Sequence, residues 1–292
     1  MKSFILKIIP HLVLVEYGKY KQYRLKIKII KYLSTSSEFE EIEKDKIMNY
    51  LKNNSFSIFP YDFIKKYNPR DIMVYTDNIY GMKYVIHENK RLYFKKAWNK
   101  KRIRDYYATL LLEQDIDSPH RYETKNFHVN DGDVVVDIGI AEGNFALSVV
   151  DKAKKLYLFE VDKEWIEALK ITFAPWKEKV VIVNKYVSNI DDENCITLDT
   201  FFGKEEIDFI KADIEGAEIE LLKGSQALLS NNKKLKIVMC TYHNQNDAEK
   251  IRQILDKSAF STEFSKGYMI FIYEKMFDKP YLRKGLIRGI KR

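Results

Sequence analysis

The rhythm of hydrophobic positions changes near residue 130. Upstream it is mixed. Residues 38–53 (EFEEIEKDKIMNYLKN) carry Phe39, Ile42 and Ile47 near helical spacing, which predicts a helix, and Pro60 marks a break. Between 71 and 96 the short β-rich runs IMVY, MKYVIH and RLYFKK are separated by Asp77-Asn78 and Gly81, which predicts a small meander. Residues 101–114 read as a helix that Asp117-Ser118-Pro119 brings to an end.

Downstream of Asp131, β and α patterns alternate. The runs DVVVDI (133–138), KLYLFE (155–160), KVVIV (179–183), IDFIKA (207–212) and LKIVMCTY (235–242) are buried-type strands. Helical stretches at 144–152, 163–173, 216–229 and 246–258 lie between or after them, and Trp165, Leu169 and Phe173 recur every four residues along one core face. This alternation predicts a parallel sheet with helices on both faces. The closing segment 262–274, with Lys266-Gly267 between TEF and YMIFIYE, reads as a hairpin that adds an antiparallel strand. Nine of the 11 glycines fall after position 130, so the punctuation changes together with the pattern.

Composition narrows the class. The 292 residues are 46% hydrophobic and 32% charged, which fits a globular chain with room for a substantial core. Two cysteines, Cys195 and Cys240, build no disulfide framework and no zinc spacing, which makes a reducing cytoplasm the expected compartment. Phe4–Val15 is interrupted by Lys7, Pro10 and His11, so neither a membrane span nor a secretory signal is expected.

Charge is unevenly placed. Residues 1–126 carry 25 basic and 15 acidic side chains, whereas 127–292 carry 25 and 27. Residues 1–33 hold eight basic groups against Glu16 alone, and 279–292 hold six more, leaving an acidic block between basic ends. Basic ends interleaved with Ile, Leu, Phe and Tyr suit peripheral contact with an anionic membrane; a solvated lysine-rich surface is the plainer alternative. The domain reading is accordingly 1–125 as an extension, 126–278 as the main α/β domain and 279–292 as a basic tail.

The chemistry begins where the first strand of the α/β block ends, at Asp137-Ile138-Gly139-Ile140-Ala141-Glu142-Gly143-Asn144. Glycines there let backbone approach a ligand, and the next helix offers unpaired N–H groups. The pattern is D-x-G-x-x-x-G rather than the G-x-G-x-x-G that holds a pyrophosphate, and the acid suits a cationic ligand better. Glu160 closes the second strand about 20 residues on, where an acid accepts ribose hydroxyls. Asp162 supplies the N-cap of the following helix.

With these blocks in place, the run from Val134 to about Glu274 resembles the FkbM-type S-adenosylmethionine-dependent methyltransferases. VVVDIGIAEGNFAL, LFEVD, ITLDTFF, IKADIEGAEIELLKG and CTYH occur in that family's order. The resemblance implies a class I (Rossmann-like) methyltransferase fold, mostly parallel with a terminal antiparallel strand. It also implies S-adenosylmethionine as cofactor and O-methylation of a sugar, glycan or secondary metabolite. Carried over, Asp137, Gly139 and Gly143 shape the methionine end of the cofactor site, with Asn144 at the helix start. Glu160 takes the ribose, Val187 and Ser188 flank the adenine, and Asp213 stands beside the sulfonium or the acceptor. The family's turn more often reads D-x-G-A-N-x-G; Ile140, Ala141 and Glu142 depart from it here.

Methyl transfer from a sulfonium needs alignment of an oxygen nucleophile and removal of its proton. Asp213, Glu215, Glu218 and His243 are the candidate catalytic groups. Glu215 and Glu218 are equally placed to complement a helix dipole. A divalent metal at Asp213, Glu215 and His243 is a chemically suitable extra, with no ligand set fixed by the sequence. His128 is read as structural, and His11, His87 and His120 carry no assignment. The segment KADIEG in place of an Asn/Asp-Pro-Pro-aromatic run argues against methylation of nucleobase amino groups. Two rivals stand: a nicotinamide oxidoreductase, disfavoured by the missing G-x-G-x-x-G, and a non-catalytic membrane or nucleic-acid adaptor working through the basic ends. Residues 1–125 are expected to cap the acceptor pocket or set its specificity.

Overall fold

The computed structural model describes residues 11–272 and 278–291. They form two compact units, Met1–Asp62 with Met269–Leu282, and Phe63–Tyr268 with Arg283–Arg292. The contacts divide the chain elsewhere than at residue 125: residues 63–125 belong to the unit that holds the sheet, and residues 269–282 belong to the first unit.

In the first unit, helix α1 (His11–Leu33) packs on α2 (Glu41–Asn53). Ile29, Leu33, Ile47 and Leu51 are fully buried there. Each such side chain contributes about 1.5–3 kcal/mol of transfer free energy. Tyr281 meets Tyr32 edge-on at 5.3 Å, and Ile270 N–H donates to the Ile58 carbonyl at 2.8 Å. Within the basic end at 1–33, His11–Leu33 is one continuous helix; residues 1–10 lie outside the described residues. Tyr20, Tyr23, Arg24, Ile27, Lys28 and Lys31 are exposed along one side of it, opposite Ile29 and Leu33.

The second unit opens with the meander β1 (Tyr75–Asp77), β2 (Met82–His87) and β3 (Lys90–Tyr93), then helix α3 (Lys100–Glu113), which Asn99 caps through Arg102 N–H. The α/β block follows as β4 (Val134–Ile138), α4 (Asn144–Val149), β5 (Lys155–Phe159), α5 (Lys163–Thr172) and β6 (Val180–Val183). A two-stranded piece, β7 (Tyr186–Val187) with β8 (Cys195–Ile196), precedes α6 (Leu198–Phe202) and β9 (Phe209–Ala212). Then come α7 (Glu218–Lys223), α8 (Gln226–Asn231), β10 (Lys236–Cys240), α9 (Asp247–Lys257), β11 (Phe260–Phe264) and β12 (Leu286–Lys291).

Seven strands form one sheet in the order β11-β12-β10-β9-β4-β5-β6. β4, β5, β6, β9 and β10 pair in parallel, and β12 runs antiparallel to both of its neighbours. The central strands are rich in β-branched residues and buried on both faces, as covering helices require. From β4 the chain steps outward to β5 and β6, then returns to β9 on the other side. The order therefore reverses between β4 and β9, and the connections leave in opposite directions, opening a crevice at the carboxyl ends.

Three expectations need correction. The helix read over 216–229 is two helices, broken at Gly224, where a Cβ would lie 2.0 Å from the Ser188 carbonyl oxygen. The hairpin partner of β11 is β12, not the segment after Gly267. Leu286–Lys291 of the basic tail is thus a sheet strand, and three of the tail's cations are engaged internally. Arg283 donates to the carbonyls of Tyr242 and His243, Arg288 to those of Arg121 and Tyr122, and Lys291 to those of Leu229 and Ser258. No described helix is long and apolar enough to cross a membrane.

Candidate active site

The crevice between β4 and β9 holds a cavity of about 490 Å³. Its floor follows from two glycines. Gly139 has φ +71°, and a Cβ there would fall 1.8 Å from the Asp213 carbonyl oxygen, so the ends of β4 and β9 meet more closely than a side chain permits. Gly143 has φ +89° and lets α4 start against Leu169 and Phe173 of the neighbouring helix segment. Between them Ala141 also sits in the left-handed region, at φ 49°, with its N–H held by Glu160 Oε2 at 2.8 Å. Glu160 Oε1 accepts from the N–H groups of Val161 and Asp162, both at 2.8 Å. One carboxylate thus ties the glycine turn to the end of β5.

Not every predicted residue faces the cavity. Gly139, Asn144, Glu160, Val187, Asp213 and Glu215 line it, whereas Asp137, Gly143, Ser188, Glu218 and His243 do not. Asp137 is directed at Lys211 because the two are partners in the β4–β9 register. Its Oδ1 is 3.0 Å from Lys211 Nζ, which also donates to the Gly139 carbonyl at 2.8 Å. The Lys211 ammonium is pushed up: burial opposes its charge, and Asp137, then Asp213, more than offset this. Asp137 therefore holds a lysine beneath the turn and does not itself line the cavity. Ser188 is displaced because the chain turns away beside Gly224, and Lys185, Tyr186 and Val187 take that wall.

Glu218 and His243 stand behind Asp213. Glu218, fully buried, accepts from Ile214 N–H and faces His243 Nδ1 at 2.9 Å. His243 Nε2 is 3.4 Å from Asp213 Oδ1 and 3.8 Å from Glu215 Oε2. Burial works against the His243 charge, but the Glu218 hydrogen bond and the Asp213 and Glu215 charges raise its pKa. On the other side, Asp213 Oδ2 accepts from Tyr122 O–H at 3.0 Å and lies 3.6 Å from His120 Nε2. Burial lowers His120 to about 4, so that imidazole stays neutral at pH 7. Burial pushes the Asp213 carboxyl up, yet His120, Lys211 and His243 around it hold it below the usual value.

One ligand atom each of Asp213, Glu218 and His243 lies within 4.8 Å of the others, and the same holds for His120, Asp213 and Cys240. The first set differs from the expected one by having Glu218 in place of Glu215, whose side chain is 90% exposed. Its spacing suits a hydrogen-bonded relay, with both nitrogens of His243 facing carboxylates.

The opposite wall comes from α3 and the loop after it. Tyr106, Leu110 and Glu113 share one helical face at spacings of four and three, and Tyr122 continues the wall. Tyr106 O–H donates to Glu142 Oε2 at 2.7 Å. Burial raises Glu142 to about 7, against the lowering effect of Tyr106, backbone N–H groups and Lys211. Glu113 is raised further, to about 8, by burial and then by Asp213 and Glu142. These groups, with Lys211, Tyr242 and His120, carried no functional assignment in the sequence reading; the departure of Glu142 from the family's usual turn was the one local signal.

A seven-stranded sheet with this order, a reversed strand between β10 and β11, and a glycine turn at the switch point define a class I methyltransferase fold. The family model of the methyltransferase FkbM domain matches residues 92–268, more than half of the chain, and the chain belongs to that family. Among solved structures it resembles methyltransferase FkbM from Methylobacillus flagellatus KT at 16% identity, covering 65% of this chain and 53% of that one, with a TM-score of 0.45. It therefore spans about half of that protein's chain. SMU.1697c from Streptococcus mutans, solved in complex with SAH, is 13% identical over 56% of this chain and 91% of that one, with a TM-score of 0.38. An rRNA methylase from Streptococcus thermophilus is 19% identical over 56% and 89%, also at 0.38. No curated protein sequence matches the chain.

Proposed function

We propose that the protein is an S-adenosylmethionine-dependent O-methyltransferase acting on a hydroxyl of a sugar, glycan or similarly polyhydroxylated metabolite. The observation that carries this is the charge of the cavity. Glu113, Glu142, Glu160, Asp162, Asp213 and Glu215 line it against Lys185 and Lys211, and Lys211 is already paired with Asp137. Such a wall favours a cationic occupant and disfavours a pyrophosphate, which also weighs against the nicotinamide alternative.

The residues fit the cofactor's parts. Glu160 Oε2 takes one N–H bond and keeps a lone pair toward a ribose hydroxyl. Ile138, Phe159, Tyr186 and Val187 supply apolar surface for a base. Asp213, oriented by Tyr122 and backed by His243 and Glu218, presents an ionised carboxylate to positive charge. When bound, the cofactor supplies an electrophilic methyl group on a cationic sulfur. The chain's contribution is alignment and charge. For the acceptor class, Tyr106, Tyr122 and Tyr242 beside Asp213 and Glu215 combine ring faces with hydroxyl acceptors, which suits a sugar ring.

Calorimetry tests the cofactor: S-adenosylhomocysteine is expected to bind to the full chain, with affinity reduced at least tenfold in Glu160→Gln. Absence of binding to the wild type sinks the reading. Incubation with methyl-labelled cofactor and a saccharide panel, against nucleosides and peptides, tests the acceptor; label found in the nucleosides alone overturns that part. A peripheral membrane contact is proposed for α1 alone. Its exposed Tyr20, Tyr23 and Ile27 lie among Arg24, Lys28 and Lys31, with no acid between residues 17 and 37. Sedimentation with phosphatidylglycerol vesicles but not with phosphatidylcholine vesicles is expected, and equal recovery with both rejects it.

A further inference from the structure

We propose that Glu113 is the group that takes the acceptor's hydroxyl proton, and that the positive charge of the bound cofactor keeps it ionised for that purpose. The inference rests on the methyl-transfer reading above and adds to it a residue outside the motifs that identify the family.

The geometry separates Glu113 from the other acids. It ends α3 and lines the cavity with Tyr106 and Leu110. Asp162, at the far end of the cavity, is a helix cap paired with Lys95. Glu160 is engaged by three N–H groups, and Glu142 by Tyr106. Glu218 and His243 face each other behind the cavity, and Glu215 is open to water. Asp213 is poorly suited as a base, because Lys211 and His243 favour its ionised form against the opposing effect of burial. Around Glu113 the influences are burial and nearby charge, with no hydrogen bond or ion pair to its carboxyl among the described residues.

The groups that bear on it are Asp213, Glu142 and Glu215, which favour its protonated form, and Lys211, which opposes them. Tyr106, Tyr122 and Tyr242 also lie within electrostatic reach, and burial keeps all three hydroxyls protonated at neutral pH. With burial first among the causes, Glu113 sits at about 8 and is mostly protonated at pH 7 in the free protein. A sulfonium entering this wall reverses the balance and expels that proton. In the transfer step, an oxygen lone pair forms the new bond to the methyl carbon, and the electron pair of the carbon–sulfur bond remains on sulfur. The hydroxyl proton passes to Glu113 as the positive charge on sulfur disappears, so the cavity keeps one net charge throughout. Transfer thus returns Glu113 to the protonated form of the free protein, and the next cofactor to enter expels that proton to solvent. A base that becomes more basic as the cation vanishes is matched to the reaction.

The test is proton release on binding, read by calorimetry of the full chain at pH 7 in buffers of different ionisation heat. S-adenosylmethionine is expected to release about one proton, and S-adenosylhomocysteine, which lacks the sulfonium but shares every other group, much less. In Glu113→Gln the difference between the two should shrink to the fraction of a proton that Glu142 can supply, and in Glu113→Asp it should persist, with both variants giving the wild-type circular dichroism spectrum. Equal release by the two ligands in the wild type overturns the proposal, as does an undiminished difference in Glu113→Gln. Failure of either ligand to bind the wild type removes the cofactor reading itself and this inference with it. In the saccharide assay, Glu113→Gln is expected to lower transfer about 100-fold or more, and its S-adenosylmethionine affinity at pH 7 should fall about tenfold, the linked counterpart of the proton it no longer releases.

Discussion

The two walls of the cavity are built on opposite terms. On the strand-end wall, Lys211 bridges Asp137 and the Gly139 carbonyl, Glu160 collects three N–H groups, and Asp213 lies between two imidazoles and a tyrosine hydroxyl. On the helix wall, the Tyr106 hydroxyl donates to Glu142, the Leu110 side chain is apolar, and Glu113 is shaped by its surroundings through burial and charge. A wall whose groups hold one another has little freedom to change its charge. Glu113 on the helix wall and Glu142, the turn residue that Tyr106 of that wall holds, are raised to about 8 and 7 and change charge readily near neutral pH. The first suits an invariant ligand, and the second suits the moment at which charge moves.

If the strand-end wall is the rigid one, damage there should cost the fold itself. The largest effect is expected for Gly139→Val. Its left-handed φ and the 1.8 Å approach of a Cβ to the Asp213 carbonyl oxygen leave no relaxed position for a side chain. A loss on the order of 4 kcal/mol or more is expected, seen as failure to recover folded protein or as a collapsed urea midpoint. A midpoint near wild type shows that the ends of β4 and β9 are not as close as described. Next comes Lys211→Met, which leaves the Asp137 carboxylate buried without its partner and should cost about 3–5 kcal/mol. Adding Asp137→Leu should recover much of that loss, since an apolar pair removes the stranded charge. A double variant no more stable than the single one contradicts the account of Asp137 as the partner of Lys211.

The same two walls explain what the sequence disclosed. The strand-end wall was legible because glycines, strand-end acids and alternating apolar runs lie close together along the chain. The partner of Asp137 was not legible: the residue faces Lys211 through the β4–β9 register, and that adjacency exists only once the sheet order is known. Glu113 and His120 left no signal, because their place at the cavity depends on α3 and its loop crossing the sheet, which no local spacing encodes. The final strand was hidden differently. Six cations in residues 279–292 resembled a solvated tail, yet Arg283, Arg288 and Lys291 each end on backbone carbonyls. Side-chain chemistry suggested exposure, and the partners that reverse that conclusion are over a hundred residues away for Arg288.

The helix wall makes a pH prediction of its own. Glu113 and Glu142 bind protons more tightly in the folded chain than at their ordinary value of 4.5, so the unfolded state holds fewer protons between about 4.5 and 8. Stability of the ligand-free protein should therefore fall as pH rises through that window and level off above it. Their contribution is fully present below about 4.5 and lost as the folded groups ionise. Unfolding free energies across pH 5–8 should decline less steeply in Glu113→Gln, by on the order of 1–2 kcal/mol over the window after screening by solvent. Parallel curves for the two proteins place Glu113 in an ordinary, water-like setting and erase the contrast between the walls.

The smallest effect should come from Tyr106→Phe. The variant removes a single O–H from Glu142 and keeps the ring, which packs among Phe94, Trp98 and Trp165, so its packing is preserved. Loss of that bond should cost about 1 kcal/mol, visible as a lower urea midpoint at unchanged slope. Because the Tyr106 bond lowers Glu142, its removal should raise that carboxyl further above about 7, so the stability difference between variant and wild type should grow as pH rises from 6 to 8. Affinity for S-adenosylhomocysteine should change less than threefold, since the glycine turn stays fastened by Glu160 on the other wall. A tenfold loss of affinity instead makes Tyr106 and Glu142 part of the rigid scaffold, and the division between a fixed wall and an adjustable one then runs through the turn rather than across the cavity.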